Sequence, residues 1–152
     1  MKRRAFLATT AVAAFTARAQ SPTSPRFQPV QDIGPILQKL TNGAKPEAGG
    51  IHVDLPQIAE NGNSVPMKVR VASPMTADDH VSAIHVLAER NPRPRVATFH
   101  FTPESGRAEI STRVRLAGTQ TVTVLAELSN KRFLVSRTEV LVTSAACLDE
   151  SL

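Results

Sequence analysis

Tryptophan and tyrosine are absent from this sequence, and cysteine occurs once, at Cys147 near the C terminus. A lone cysteine cannot close a disulfide within its own chain. It is a free thiol, an intermolecular bridge or a modification site. Aromatic residues make up only 4% of the chain, and none interleaves with the bases in the manner of a nucleic-acid surface. No apolar run reaches the roughly 20 residues that span a bilayer as a helix. The expectation is a chain with no membrane insertion and no nucleic-acid partner.

What is present starts at the N terminus. Residues 1–19 read M-K-R-R-A-F-L-A-T-T-A-V-A-A-F-T-A-R-A. A basic head precedes a short run of small apolar residues, and Ala17-Arg18-Ala19 forms an A-x-A site with cleavage expected after Ala19. This is an export signal, set aside from fold reasoning. Arg3-Arg4 followed by Phe6-Leu7 resembles a twin-arginine signal; the alternative is an ordinary secretory signal. Either route implies a periplasmic protein. The whole chain carries 18 Lys+Arg and 13 Asp+Glu, a net +5. Lys2, Arg3, Arg4 and Arg18 lie in the signal, which holds no acid. The remaining 14 bases face 13 acids, so the mature charge is only +1.

Residues 20–30 are polar and proline-rich and read as a flexible leader. The segment D-I-G-P-I-L-Q-K-L-T-N-G predicts one short helix. Asp32 or Gly34 would cap it, Pro35 suits its first turn, and Asn42-Gly43 ends it. Ile36, Leu37 and Leu40 would form its apolar stripe. From residue 50 the period changes to two. Ile51, Val53 and Leu55 alternate with His52 and Asp54, and Met67, Val69 and Val71 with Lys68 and Arg70. V-S-A-I-H-V-L-A-E is almost continuously apolar and suits a central strand. Then come V-A-T-F-H-F-T, R-A-E-I-S-T-R-V-R-L, Q-T-V-T-V-L-A-E-L and R-F-L-V-S-R-T-E-V-L-V-T. In the second of these, Ala108, Ile110, Thr112, Val114 and Leu116 should face inward.

About seven short strands joined by turns predict an all-β fold, an immunoglobulin-like antiparallel β-sandwich with one short N-terminal helix and a C-terminal arm. A small barrel is the alternative. With no second cysteine, burial alone must hold the sheets together. The expected organisation is a signal over 1–19, a leader over 20–30, one domain over 31–143 and an arm over 144–152.

The string Leu55-Pro56-x-x-Ala59-Glu60-Asn61-Gly62-Asn63-Ser64-Val65-Pro66 resembles the SoxY family. These are the sulfur-carrier subunits of the periplasmic thiosulfate-oxidising system. Ser73-Pro74-Met75, A-I-H-V-L-A-E-R-N-P and F-H-F-T-P-x-S-G-R-A-E-I-S-T-R-V-R-L-A resemble it too, as does the last strand running into Cys147. The resemblance implies an Ig-like subunit that pairs with a SoxZ-like partner. It also implies a carrier cysteine on the C-terminal arm, within Gly-Gly-Cys-Gly-Gly. There a c-type haem enzyme couples thiosulfate oxidatively to the sulfur, and hydrolytic and oxidative enzymes process the adduct. By position Cys147 matches that cysteine, and the protein would be a carrier rather than an enzyme, with no cofactor of its own.

The arm departs from that pattern. It reads Ala145-Ala146-Cys147-Leu148-Asp149-Glu150, similar to a SoxY-related paralogue group with Ala-Ala-Cys in place of the glycines. Alanine restricts the backbone where glycine frees it, and Leu148 adds bulk beside the sulfur. Asp149 and Glu150 disfavour a thiolate and repel anions. The cargo or the partner enzymes are therefore expected to differ from the standard set. Two alternatives stay open: a non-catalytic assembly sandwich that pairs with a SoxZ-like subunit, and a homodimer linked through Cys147.

His52, His80, His85 and His100 invite a metal reading, but no zinc-type spacing accompanies them, and strand histidines with satisfied partners are expected. Arg107, Arg113 and Arg115 read as a solvated strand face that discourages edge pairing, or as a partner surface. No nucleophile elbow with a paired base is apparent.

Overall fold

A computed structural model describes residues 29–144. The signal, with Arg3, Arg4 and Ala19, the leader up to residue 28, and the arm residues Ala145, Ala146, Cys147, Leu148, Asp149 and Glu150 lie outside the described residues.

The helix α1 spans Gly34–Thr41. The N-cap is Ile33, with no side-chain cap bond, rather than Asp32 or Gly34; Asp32 stands one residue earlier, where its Oδ1 accepts the Gly34 amide at 2.8 Å, and Pro35 occupies the first turn, where a missing N–H costs nothing. Asn42 stops it in the left-handed region, at φ 52°, as asparagine at a helix end often does.

Among the described residues nine strands follow: β1 Glu47–Ala48, β2 Ile51–Asp54, β3 Ile58–Ala59, β4 Val65–Val71, β5 Val81–Ala88, β6 Arg95–His100, β7 Ala108–Val114, β8 Gln120–Leu128 and β9 Phe133–Val142. Seven are the expected strands; β1 and β3, two residues each, are additional. They form two sheets. The larger has the order β1-β9-β8-β5-β6, with β3 also on β9; the smaller has the order β2-β4-β7. The long pairs are antiparallel. The two short strands instead run parallel to β9, at Leu134–Val135 and at Leu141–Val142. They tile the edge of β9 that would otherwise stand unpaired.

Alternation decides which face is buried. Along β4, Val65, Met67, Val69 and Val71 are buried while Pro66 and Arg70 are exposed. Ile84, Val86 and Ala88 of β5 and Val122, Val124 and Ala126 of β8 meet them from the larger sheet. This one apolar layer joins the sheets in place of a disulfide. β5 is flanked by β8 and β6 and is buried along almost its whole length, as its continuous apolar run predicts. The chain crosses between sheets at Gly49-Gly50, both at positive φ. At Gly50, with φ 73°, any L side chain would be strained, and a Cβ there would also push Leu134 Cδ1, 2.8 Å away, aside.

The outer face of the larger sheet carries α1. Leu37 and Leu40 pack on a second cluster of Leu125, Phe133 and Val135. Ile36, expected in the same stripe, instead lines a groove beside the helix. The outer face of the smaller sheet is polar.

Candidate functional site

The candidate carrier residue, Cys147, follows β9 by five positions, so the site the structure defines is the place where β9 releases the chain. Four successive residues are held there. The Leu141 amide donates to Gln57 O at 2.9 Å, Thr143 N to Ala59 O at 3.0 Å, and Gly62 N to Ser144 O at 2.7 Å. Val142 N donates to Thr119 Oγ1 at 3.0 Å, and Thr143 Oγ1 to Glu60 O at 3.2 Å. The A-E-N-G-N-S segment thus runs alongside the end of β9 as a short parallel brace. Asn61 holds the turn by accepting the Asn63 amide on its side chain at 2.9 Å.

A second layer supports the brace. Gly62 O accepts from Leu116 N at 2.8 Å, which ties the brace to the β7–β8 loop. That loop is held by Asn91, only 6% exposed. Asn91 Nδ2 donates to Arg115 O, and its Oδ1 accepts from Ala117 N and from Gln120 Nε2, all at 2.8–3.1 Å. Gln120 Oε1 in turn accepts from Arg90 N at 2.8 Å. Gln31 closes the knot from the N-terminal side. Its amide donates to Glu89 O and its side chain to Asn91 O at 2.8 Å. A buried amide side chain with bonds at both its nitrogen and its oxygen fixes one arrangement of three loops.

The charges near this end are mixed. Arg113 points its guanidinium at Ser64, with Nε to Oγ at 2.6 Å and Nη2 to Ser64 O at 3.0 Å. Arg115 and Arg107 are exposed. On the same sheet face Glu109 bridges Lys68 at 2.9 Å and Arg70 at 3.0 Å. Hydrogen bonds from Lys68 and Arg70 push the Glu109 carboxyl down to about 2. The arginine row is therefore a partly paired, solvated face.

The histidines do not converge. His52 lies on β2, His80 accompanies the β4–β5 loop, and only His85 and His100 share one face of the β5–β6 pair, offset by a residue pair in register. No group of three His, Cys, Asp or Glu side chains placed to hold a metal occurs among the described residues. Gln31, Gly62, Asn91, Thr119 and Gln120 were not singled out by sequence reasoning. The available signal was that Gly62 and Asn91 fall inside E-N-G-N-S and E-R-N-P, strings that carry the family resemblance.

Together these features define an immunoglobulin-like sandwich whose last strand hands a C-terminal extension to a braced exit. Residues 37–147 match the family model described as sulfur oxidation protein SoxY, a match that ends on the cysteine's own position. The chain belongs to the SoxY family. Among solved structures it is similar to the sulfur carrier protein SoxY from Chlorobium limicola f thiosulfatophilum. That likeness has 26% identity over 71% of this chain and 89% of that chain, with a TM-score of 0.60. It is also similar to the superoxide reductase (neelaredoxin) from Ignicoccus hospitalis, at 14% identity, 62% and 80% coverage and a TM-score of 0.56. A putative superoxide reductase from Thermotoga maritima follows, at 18% identity, 64% and 87% coverage and a TM-score of 0.51. These two likenesses show the fold alone. No curated protein matches the chain.

Proposed function

We propose that this protein is a periplasmic sulfur carrier that holds its cargo covalently on Cys147. Membership of the SoxY family and the likeness to a sulfur carrier protein support the role. The observation that carries it to the arm is the braced exit. Ser144 is held by Gly62, and Cys147 lies three residues further on, within roughly 10 Å of chain. A thiol three residues beyond a held strand end stays within a short reach of the sandwich, where partner proteins can find it.

The chemistry follows the family. The Cys147 thiolate and thiosulfate form an S–S bond and give up two electrons to a c-type haem partner enzyme. Water then cleaves the terminal sulfone group as sulfate, releasing two protons and leaving a persulfide on the cysteine. The cargo remains tethered throughout, so a small anion is not lost by diffusion. A SoxZ-like subunit is the proposed second chain. No described helix is long and apolar enough to cross a membrane, which fits delivery by the export signal.

The non-glycine arm points to a cargo or enzyme set different from that of a Gly-Gly-Cys-Gly-Gly arm. Replacing Cys147→Ser removes the attachment atom and leaves every described contact in place. The variant should fold normally and take up no adduct when incubated with thiosulfate and the haem enzyme. An adduct that persists on the serine variant contradicts the proposal.

A further inference from the structure

A groove of about 760 Å³ lies between α1 and the start of β6, on the outer face of the larger sheet. Ile36 and Leu40 line it from the helix, and Pro92 and Pro94 from the facing loop. Lys39 and Arg95 line it too, and both are exposed. Arg93 adds a third cation, and Glu127 is the one acid in the lining. The groove is thus an apolar slot with an excess of positive charge, of the size that small ligands occupy.

His85 also lines the groove. It is 94% buried, with a relative exposure of 6%. Its Nδ1 lies 3.0 Å from Thr98 Oγ1. Its Nε2 is shielded and has no hydrogen-bond partner; Glu127 Oε2 stands 3.9 Å away, beyond bonding distance. In the tautomer in which the Thr98 hydroxyl donates to Nδ1, the neutral ring carries its hydrogen on Nε2. In either tautomer a buried ring nitrogen sits beside the groove without a hydrogen-bond partner, which is rare in a folded protein.

We propose that this groove binds a small organic anion, a sulfonate or carboxylate on a ring or short chain. Its apolar body lies between Leu40 and the two prolines. Lys39 and Arg95 take the oxyanion, and the His85 Nε2–H reaches it once the Glu127 side chain, 39% exposed, turns outward. The site is independent of Cys147 and of the carrier reading.

The test is titration of the chain from residue 20 onward with p-toluenesulfonate, followed by calorimetry and by the imidazole nitrogen resonances of His85. Saturable one-site binding is expected with a dissociation constant below about 1 mM, together with a shift of the His85 Nε2 resonance. Lys39→Glu with Arg95→Glu should weaken it at least about tenfold. The neutral p-toluenesulfonamide should bind at least about tenfold more weakly. Lys68→Glu, on the other sheet, should leave the affinity unchanged. No saturable binding overturns the proposal, as does a neutral compound that binds equally well. So does an affinity indifferent to the double charge reversal, or binding that leaves the His85 resonance unmoved. Both rim residues are exposed, so the variants should fold; if they do not, the neutral-compound comparison and the His85 resonance decide the matter on the unmodified chain.

Discussion

Asp149 and Glu150 stand two and three residues beyond Cys147. Each carboxylate raises the energy of a nearby thiolate and repels an approaching anion. Asp149→Asn with Glu150→Gln should therefore speed the reaction of Cys147 with an anionic disulfide at neutral pH, by a few-fold at ordinary salt. The gain should shrink as salt rises, since screening acts on exposed charges. Equal rates for the two proteins would mean that these charges do not govern the thiol. At His85 the balance is different. Burial lowers its pKa from the ordinary 6.5, and His100 and Arg95 lower it further, while Glu127 pulls the other way. Lys39 and Arg93 also face the groove beside it. The unfolded chain thus takes up this proton before the folded one does. Stability should be full above pH of about 6.5 and fall as pH drops toward the depressed folded value. His85→Gln should flatten that part of the urea-unfolding profile. Glu109, held at about 2 by Lys68 and Arg70, contributes its own loss only below pH of about 4.5, so the two windows separate. A slope unchanged between pH 6.5 and 5 in the glutamine variant would contradict the assignment.

Asn91 joins elements that sequence keeps far apart. It serves Arg115, Ala117 and Gln120 with one side chain. Asn91→Ala would take the side-chain partner from the Arg115 carbonyl and the Ala117 amide and remove one of the two bonds of Gln120 Nε2, which keeps Gly118 O, at about 1–3 kcal/mol for each group left unpaired. A loss of at least about 3 kcal/mol in chemical denaturation is expected, along with faster amide exchange at Leu116 and Gly62. A loss under about 1 kcal/mol would show that the knot is not what holds the exit. Such residues explain what was and was not legible in the sequence. Strands such as β2, β4 and β7 announce themselves by period two, because each buries one face on the same core, and β5 by the continuous apolar run of a strand buried on both faces. The helix announces itself through Asp32, Pro35 and Asn42. The β1 and β3 strands leave no such trace: two residues cannot show a period, and their pairing is decided by the open edge of β9. Gly62 and Asn91 read locally as turn residues. Their work is long-range hydrogen bonding, which has no signature in neighbouring sequence.

In the molecule as a whole, Gln31 and Ser144, near the two limits of the described residues, lie at the same end of the sandwich. Hydrogen bonds run from Gln31 to Asn91, on through the Arg115–Ala117 loop to Gly62, and from there to Ser144. The opposite end holds the Ser129–Lys131 turn and the loop of His80, joined by the His80 amide to Ser129 Oγ at 3.1 Å. This polarity sets the end of β9 beside the brace and away from the Ser129–Lys131 turn. It also places the family-matching strings in space. Leu55–Pro66, A-E-R-N-P and R-V-R-L-A come together around the exit, whereas His52, His80 and the Arg107–Arg115 row do not form a site. Sulfur carriage on Cys147 is the proposed role of the chain. Its most direct test is the intact mass of the mature protein, isolated from the periplasm without reductant during growth on reduced sulfur compounds, before and after dithiothreitol. A monomer is expected, bearing an increment on Cys147 that matches sulfane sulfur, thiosulfate or a sulfonate and is lost on reduction. An unmodified thiol, or a disulfide-linked pair of chains that reduction merely separates, would contradict it.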